Sequence, residues 1–216
     1  MENQSTVETP FEYPAVDETY ARPVTRDQLD RAAKALTERL VHTYVVPTVA
    51  EARRLLGELL PTDQEIFTAS SQTLTTSGIA ADIDESGRFR SLRARLSGID
   101  DVVAQIREGA APDVVVGSVH AVTEDGHLVV TSASGSQLAA YAAGARKAFW
   151  VVGAQKVVPD LDSALRRIRT YSLPKEFRRI HEETGGQSFI GKTLIIEREA
   201  FPDRSTVILV EQPIGF

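Results

Sequence analysis

The sequence has no cysteine, a single methionine and a single tryptophan among its 216 residues. The absence of cysteine excludes disulfides, thiolate zinc sites, iron–sulfur clusters bound by this chain and a cysteine nucleophile. No apolar run approaches the roughly 18–20 residues of a membrane span, and the polar, acidic start MENQSTVETP is unlike a signal peptide. We therefore expect a cytoplasmic protein that has no membrane as a partner.

Basic residues are fewer than acidic ones. The chain holds 24 Lys and Arg against 30 Asp and Glu, a net charge of −6 that argues against nucleic acid as a partner. Its 42% hydrophobic and 25% charged residues are typical of a soluble globular protein, and the length suits one domain with a sizeable core. Residues 1–19 hold few aliphatic side chains, which predicts a flexible N-terminal arm before a domain at residues 20–216.

Helices are predicted where capping signals precede apolar residues at helical spacing. Thr25 and Gln28 have the Ser/Thr-x-x-Glu/Gln spacing of a capping box, and apolar residues recur behind them every three or four positions. Thr48 and Glu51 repeat the pattern before a second helix that runs to Pro61. Further helices are predicted over residues 73–111 (with interruptions), 138–145, 161–171 and 174–183.

Strands are indicated by short β-branched runs. The run DVVVG at residues 113–117 is typical of a strand covered on both faces, as in a parallel sheet. Asp125 and Gly126 give a strong hairpin signal. Predicted strands cover residues 43–46, 65–69, 113–117, 118–123, 128–131, 149–152, 193–197 and 206–211. Because strands alternate with helices, we expect an α/β fold with a mostly parallel sheet, helices on both faces and an antiparallel hairpin.

Three strand ends carry small or hydroxyl residues that suit an anion. They are residues 70–73 (SSQT), 134–137 (SGSQ) and 153–156 (GAQK). Ligands of open α/β sheets bind outside the carboxyl ends of the strands, and two of these turns open a predicted helix, where free N–H groups favour negative charge. Lys156 adds a point charge. The alternative is that these residues only cap helices.

The candidate ligand-binding residues also include two residues of the predicted strand over residues 118–123, Ser118 and His120. The full set is Ser70, Ser71, Gln72, Thr73, Ser118, His120, Ser134, Gly135, Ser136, Gln137 and Lys156. His120 and His127 face each other across the predicted hairpin, but no third ligand accompanies them, so no metal is predicted and no cofactor is expected.

Glu124, at the tip of the predicted hairpin, is the candidate catalytic residue. A carboxylate at that place could act as a general base or as a nucleophile toward an acyl group. The alternative is that Glu124 is solvated and the turn is purely structural. On the helix over residues 161–171, we expect Arg166, Arg167 and Arg169 to form the solvated face.

One stretch of the chain resembles a known family. The block TEDGHLVVTSASGSQ at residues 123–137, followed by VVGAQKVVPDLD, is similar to the LUD (lactate-utilisation) domain family, and the resemblance covers about residues 20–216. It implies a fold similar to ribose-5-phosphate isomerases, glucosamine-6-phosphate deaminases and CoA transferases. The transferases use a glutamate nucleophile, and Glu124 lies at a comparable place. The isomerases' acidic motif is replaced by residues 118–121 or lies shifted in this chain, and their Arg-Glu-Lys motif has no counterpart at residues 138–142, which argues against isomerase chemistry.

The resemblance leads to three alternative functions. The first is an accessory component of lactate or organic-acid utilisation that binds a small anionic ligand and works with separate iron–sulfur oxidoreductase subunits. The second is an autonomous enzyme for a phosphorylated or CoA-linked substrate, with Glu124 as base or nucleophile. The third is a regulatory or structural module. A homodimer is possible if the apolar strand over residues 206–211 lies at a sheet edge, although the same sequence suits an internal strand.

Overall fold

The computed structural model describes residues 12–216. Its α-helices are α1 (Arg26–Glu38), α2 (Val49–Leu59), α3 (Gln72–Ser77), α4 (Ile79–Asp84), α5 (Leu92–Leu96), α6 (Val102–Glu108), α7 (Leu161–Arg167) and α8 (Leu173–Thr184). Its strands are β1 (His42–Val46), β2 (Glu65–Thr68), β3 (Arg90–Ser91), β4 (Val114–Gly117), β5 (Ala121–Thr123), β6 (Leu128–Ser132), β7 (Lys147–Gly153), β8 (Val157–Val158), β9 (Lys192–Ile196) and β10 (Ser205–Val210). Short 3₁₀ turns occur at Glu18–Ala21 and Ala154–Lys156, and single π-helical turns at Ala140–Gly144 and Ile168–Ser172.

The main sheet is parallel and is covered by helices on both faces. Its six strands lie in the order β1-β10-β7-β4-β2-β3. Side chains alternate between the two faces of each strand. Val115 packs in one cluster with Leu36 of α1, whereas Val114 and Val116 pack in a second cluster with Leu56 of α2. The DVVVG run is therefore buried on both sides, and the predicted α/β class with a mostly parallel sheet is confirmed.

A smaller mixed sheet carries the predicted hairpin. Its order is β8-β5-β6-β9, with β5 antiparallel to β6 and parallel to β8. Gly126 makes the turn at φ +92°, and a Cβ there would lie 2.8 Å from the carbonyl carbon of Ala35, so the turn packs directly on α1. The hairpin thereby joins the second sheet to the helical layer of the first.

Several local predictions change in the structure. Residues 73–111 form four short helices and the two-residue strand β3, and the α-helix expected over residues 138–145 is a single π-helical turn. β10 lies inside the sheet between β1 and β7, so the internal-strand alternative holds and this strand offers no free edge to a second copy. Within residues 12–216, no helix combines the length and apolar character needed to cross a bilayer.

The predicted N-terminal arm falls only partly within the structure. Residues 1–11 lie outside the described part of the chain. At the arm's end, the Asp17 N–H donates to the carbonyl oxygen of Thr170 at 2.8 Å, and the Glu18 carboxylate lies 3.2 Å from Lys175 Nζ. The segment next to the domain thus contacts the turn between α7 and α8, while the domain boundary at residue 20 stays a prediction.

Candidate functional site

A cavity of about 300 Å³ lies at one edge of the parallel sheet. Ser70, Ser118 and Lys156 line it, and they follow β2, β4 and β7 respectively. These strands are neighbours in the sheet and run parallel, so their carboxyl ends meet at the same edge. The turn at residues 134–137, after β6, completes this part of the wall. The fold therefore brings all three predicted turns together.

Most of the predicted ligand-binding residues share this cavity. Those that line it are Ser70, Ser71, Gln72, Ser118, His120, Ser134, Ser136, Gln137 and Lys156. Thr73 and Gly135 support it from behind. Thr73 Oγ1 accepts a hydrogen bond from Lys156, and Gly135 turns the chain at φ +86°, where a Cβ would lie 2.8 Å from Lys192 Cδ.

Lys156 is the central polar group of the cavity. Its residue is only 2% exposed, and its Nζ donates to Thr73 Oγ1 at 2.8 Å and to Ser118 Oγ at 3.1 Å. Within residues 12–216, no carboxylate pairs with it. Burial, and then the nearby charge of Arg167, lower the pKa of the Lys156 ammonium well below its ordinary value. A bound anion would supply the counterion that the described residues lack and so favour the protonated form of this nitrogen.

Arg167 is a second buried cation, behind the cavity wall. It is 0% exposed, and its guanidinium donates to the carbonyl oxygens of Gln155 at 3.1 Å and His120 at 2.6 Å and to Ser172 Oγ at 2.9 Å. Burial lowers the pKa of Arg167 to about 10, so the side chain stays charged at pH 7. Its Nη2 has no hydrogen-bond partner among the described residues. The wall thus carries positive charge that the described side chains leave unneutralised.

His120 contributes a neutral imidazole to the cavity. Its Nδ1 accepts a hydrogen bond from the Thr131 N–H at 3.2 Å, which places the ring proton on Nε2. Burial, and then the charges of Lys156 and Arg167, lower the pKa of His120 to about 3. At neutral pH the ring is therefore an uncharged hydrogen-bond donor beside Lys156 and the charged Arg167.

Comparison with known proteins agrees with this fold. A family model for the LUD domain matches residues 29–210. The chain belongs to the LUD domain family. A DUF162 family protein from Deinococcus radiodurans, whose crystal structure was determined at 1.70 Å, is similar in structure with a TM-score of 0.55 and 12% sequence identity. The match covers 87% of this chain and 99% of that one, and it shows the fold alone. No curated protein matches this chain.

Glu124 of this LUD domain does not line the cavity. Its carboxylate accepts hydrogen bonds from Gln28 at 2.9 Å and Arg31 at 2.8 Å, both on α1. Partial burial opposes ionisation, but these hydrogen bonds and the charge of Arg31 outweigh it and lower the pKa of Glu124, which makes it a weaker base. The role of Glu124 as a base or nucleophile stays a prediction, and its contacts tie the hairpin to α1.

His127 is also directed away from a shared two-histidine site. Its Nδ1 lies 3.2 Å from Thr123 Oγ1 and 3.0 Å from Asp125 Oδ1, in the hairpin turn itself. No group of three or more His, Asp or Glu side chains that could hold a metal ion occurs in the part of the chain that the structure describes.

Sequence analysis placed Arg167 wrongly on the solvated face of its helix. The residue follows Ala164 by three positions and precedes Tyr171 by four, so it lies on the buried stripe of α7 and the π-helical turn after it. The spacing was visible in the sequence, but three arginines in four positions favoured the solvent-facing interpretation.

Sequence analysis also missed the opposite wall of the cavity. This wall includes Glu176 and Arg179 of α8, Phe189 of the segment before β9, and Phe216. Arg179 lies between two carboxylates, with Nη2 2.6 Å from Glu176 Oε1 and Nη1 2.6 Å from Glu183 Oε2, so this wall adds no net positive charge. The α8 and Phe189 part of the wall was missed because it follows no strand of the main sheet, and Phe216 was missed because the residues after β10 include no serine, threonine or lysine.

The low pKa of His120 predicts that the free energy of unfolding depends on pH. The unfolded imidazole gains a proton below about pH 6.5 and the folded one only near pH 3, so the protein loses stability as pH falls through this window. In His120→Asn, the amide oxygen can accept the Thr131 N–H without titrating. We expect the variant to gain about 2–3 kcal/mol relative to wild type between pH 8 and pH 4. Urea unfolding at several pH values measures this gain. A difference in free energy of unfolding between variant and wild type that does not change with pH would contradict the low pKa of His120.

Proposed function

We propose that this LUD domain binds a small organic acid in the cavity and acts as an accessory component of lactate or organic-acid utilisation. The observation that carries the proposal is Lys156, whose buried amine has hydroxyl partners and no carboxylate partner among the described residues. A bound carboxylate would supply the missing counterion, and a charge-assisted hydrogen bond of this kind is about twice as strong as a neutral one.

The size and lining of the cavity favour a small, oxygen-rich ligand. A volume of about 300 Å³ is at the lower end for ligand sites and suits an organic acid of a few carbons. The hydroxyls of Ser70, Ser71 and Ser134 line the cavity and offer hydrogen bonds to a carboxylate, hydroxyl or oxo group. Together with the positive charge of Arg167 behind the wall, this arrangement supports an anion bearing a second oxygen function.

The proposed partners follow from the composition and the family. The chain has no cysteine, so any iron–sulfur cluster that oxidises the bound acid would belong to separate oxidoreductase subunits. The ligand-binding role assigned to this chain requires no cluster of its own. The autonomous-enzyme alternative, which depends on Glu124, gains no support from the cavity because Glu124 lies outside it.

Thermal unfolding with a ligand panel tests the proposal. The panel holds L-lactate, pyruvate, ribose 5-phosphate, acetyl-CoA and inorganic phosphate. At 100 times its dissociation constant, a ligand adds about 2.7 kcal/mol, or roughly 5–11 °C in unfolding midpoint for a domain of this size. We expect a shift of that order from a 2-hydroxy or 2-oxo acid.

The matched control is Lys147, at the opposite end of the strand that leads to Lys156. Lys147 opens β7 and is exposed, so Lys147→Met should leave the shift intact, whereas Lys156→Met should abolish it. No shift from either organic acid, or an equal shift in Lys156→Met, would overturn the proposal. A shift from ribose 5-phosphate or acetyl-CoA alone would favour the enzyme alternative instead.

A further inference from the structure

The hydrogen bonds around Lys156 leave one position of its nitrogen open. The Thr73 hydroxyl donates to the Ile214 carbonyl oxygen at 3.3 Å, and the Ser118 hydroxyl donates to the Val119 carbonyl oxygen at 3.3 Å. Each hydroxyl proton is thereby used, so both oxygens present lone pairs to Nζ and accept its N–H groups. A neutral amine has two N–H groups and one lone pair, and these two acceptors occupy both N–H groups.

The surroundings of the nitrogen favour this neutral form. Burial and the charge of Arg167 disfavour the ammonium, and no carboxylate of the described residues offsets them. The side chain lines the cavity while only 2% of the residue is exposed, so the open position of Nζ can be reached from the cavity and not from bulk solvent. A desolvated lysine beside another cation is the usual arrangement of an amine that forms Schiff bases.

We propose that Lys156 reacts covalently with the carbonyl group of a 2-oxo acid bound in the cavity and forms an imine. The proposal rests on the proposed function, since the acid must first bind there. The Nζ lone pair forms the new C–N bond while the carbonyl π pair moves to oxygen, and an amine proton transfers to that oxygen to give a carbinolamine. The carbinolamine hydroxyl then takes up the second amine proton and leaves as water, so only water is released.

Nearby hydroxyls give the proton a path. Thr73 Oγ1 and Ser118 Oγ lie 2.8 and 3.1 Å from Nζ, so either hydroxyl can relay a proton between the nitrogen and the carbonyl oxygen. A 2-hydroxy acid has the same carboxylate but no carbonyl carbon, so it can occupy the cavity and cannot react. The site thereby distinguishes the oxidised from the reduced member of such a pair.

Reductive trapping tests the proposal. The full chain is incubated with pyruvate and sodium cyanoborohydride at pH 7, which reduces an imine to a stable secondary amine, and peptide mass spectrometry locates the adduct. The expected product is a peptide containing Lys156 that is heavier by pyruvic acid less one oxygen. Because each unit of pKa changes the neutral fraction tenfold, labelling of Lys156 should exceed that of the exposed Lys34 by at least about tenfold.

The controls separate this inference from the proposed function. L-lactate should protect Lys156 from labelling by pyruvate and give no adduct of its own. Calorimetric binding of pyruvate without an adduct at Lys156 would overturn the imine and leave the proposed function intact. Failure of both acids to bind would overturn both proposals, and equal labelling of Lys156 and Lys34 would overturn the selective reaction. The Lys156→Arg variant keeps a cation but forms no imine, so it should lose the adduct.

Discussion

Replacing Glu199 by alanine is expected to lower the free energy of unfolding by about 3–5 kcal/mol. Glu199 and Arg204 form an ion pair of 2.7 Å between Oε1 and Nη1, and their side chains are only 7% and 8% exposed. The Glu199 carboxylate also accepts the Ser205 hydroxyl at 2.6 Å. Removing it leaves the Arg204 charge buried without a counterion, a state that costs far more than an exposed pair.

The effect should extend to the cavity. Arg204 Nη2 also donates to the carbonyl oxygens of Ala140 and Tyr141 at 3.1 and 2.9 Å, in the π-helical turn that places the Tyr141 ring in the cavity wall. Urea denaturation of Glu199→Ala measures the loss. Glu197→Ala, two residues earlier and exposed, is the control and should stay within about 0.5 kcal/mol of wild type. A loss below 1 kcal/mol in Glu199→Ala would show that the pair contributes little.

Replacing Lys156 by methionine should stabilise the fold and abolish ligand binding. Methionine is similar in length and apolar, so the variant avoids the cost of desolvating an unpaired amine, and we expect a gain of about 1–2 kcal/mol at pH 7. Loss of the Lys156 Nζ from the cavity should weaken organic-acid binding at least about 30-fold, which corresponds to the lower end of 2–5 kcal/mol for a buried charged partner.

The pH dependence of this gain has a definite sign. The unfolded lysine takes up a proton below its ordinary pKa near 10.5, and the folded one does so only at a lower pH, so wild type loses stability as pH falls through that window. Methionine does not titrate, and the advantage of Lys156→Met should therefore be larger at pH 7 than at pH 10. Denaturation curves at both pH values, with Lys147→Met alongside, measure it. A destabilised Lys156→Met variant would contradict the assignment.

The sheet and its edge could be predicted from the sequence because each rests on local signals. The β-branched run of β4 and the apolar run of β7 specify buried parallel strands, and the turns after β2 and β6 are rich in serine. Since parallel strands bring their carboxyl ends together, the approach of residues 70–73 to residues 153–156 followed from the fold class. The position of Lys156 in the cavity is a direct consequence. Residues 134–137 follow β6 of the second sheet, so their arrival at the same cavity depended on how the two sheets pack, which the sequence does not specify.

The electrostatics of the cavity could not be predicted in the same way. Whether Lys156 or Arg167 has a carboxylate partner depends on contacts between residues far apart in sequence, and composition carries no information about them. The sequence correctly put Glu124 on a hairpin. Its contact with Arg31, however, depends on how α1 packs across the second sheet. The wall from α8 follows a π-helical turn, whose extra residue shifts the helix face that reaches the cavity.

The position of β10 in the sheet affects the order in which the strands can pair during synthesis. It is the last strand within residues 12–216, yet it lies between β1 and β7, and β1 has no other neighbour in the sheet. During synthesis β1 and α1 therefore leave the ribosome long before the strand that joins them to the rest of the sheet. Because pairing over so many residues costs chain entropy before the contacts stabilise it, we expect the pairing of β10 with β1 to form late in folding.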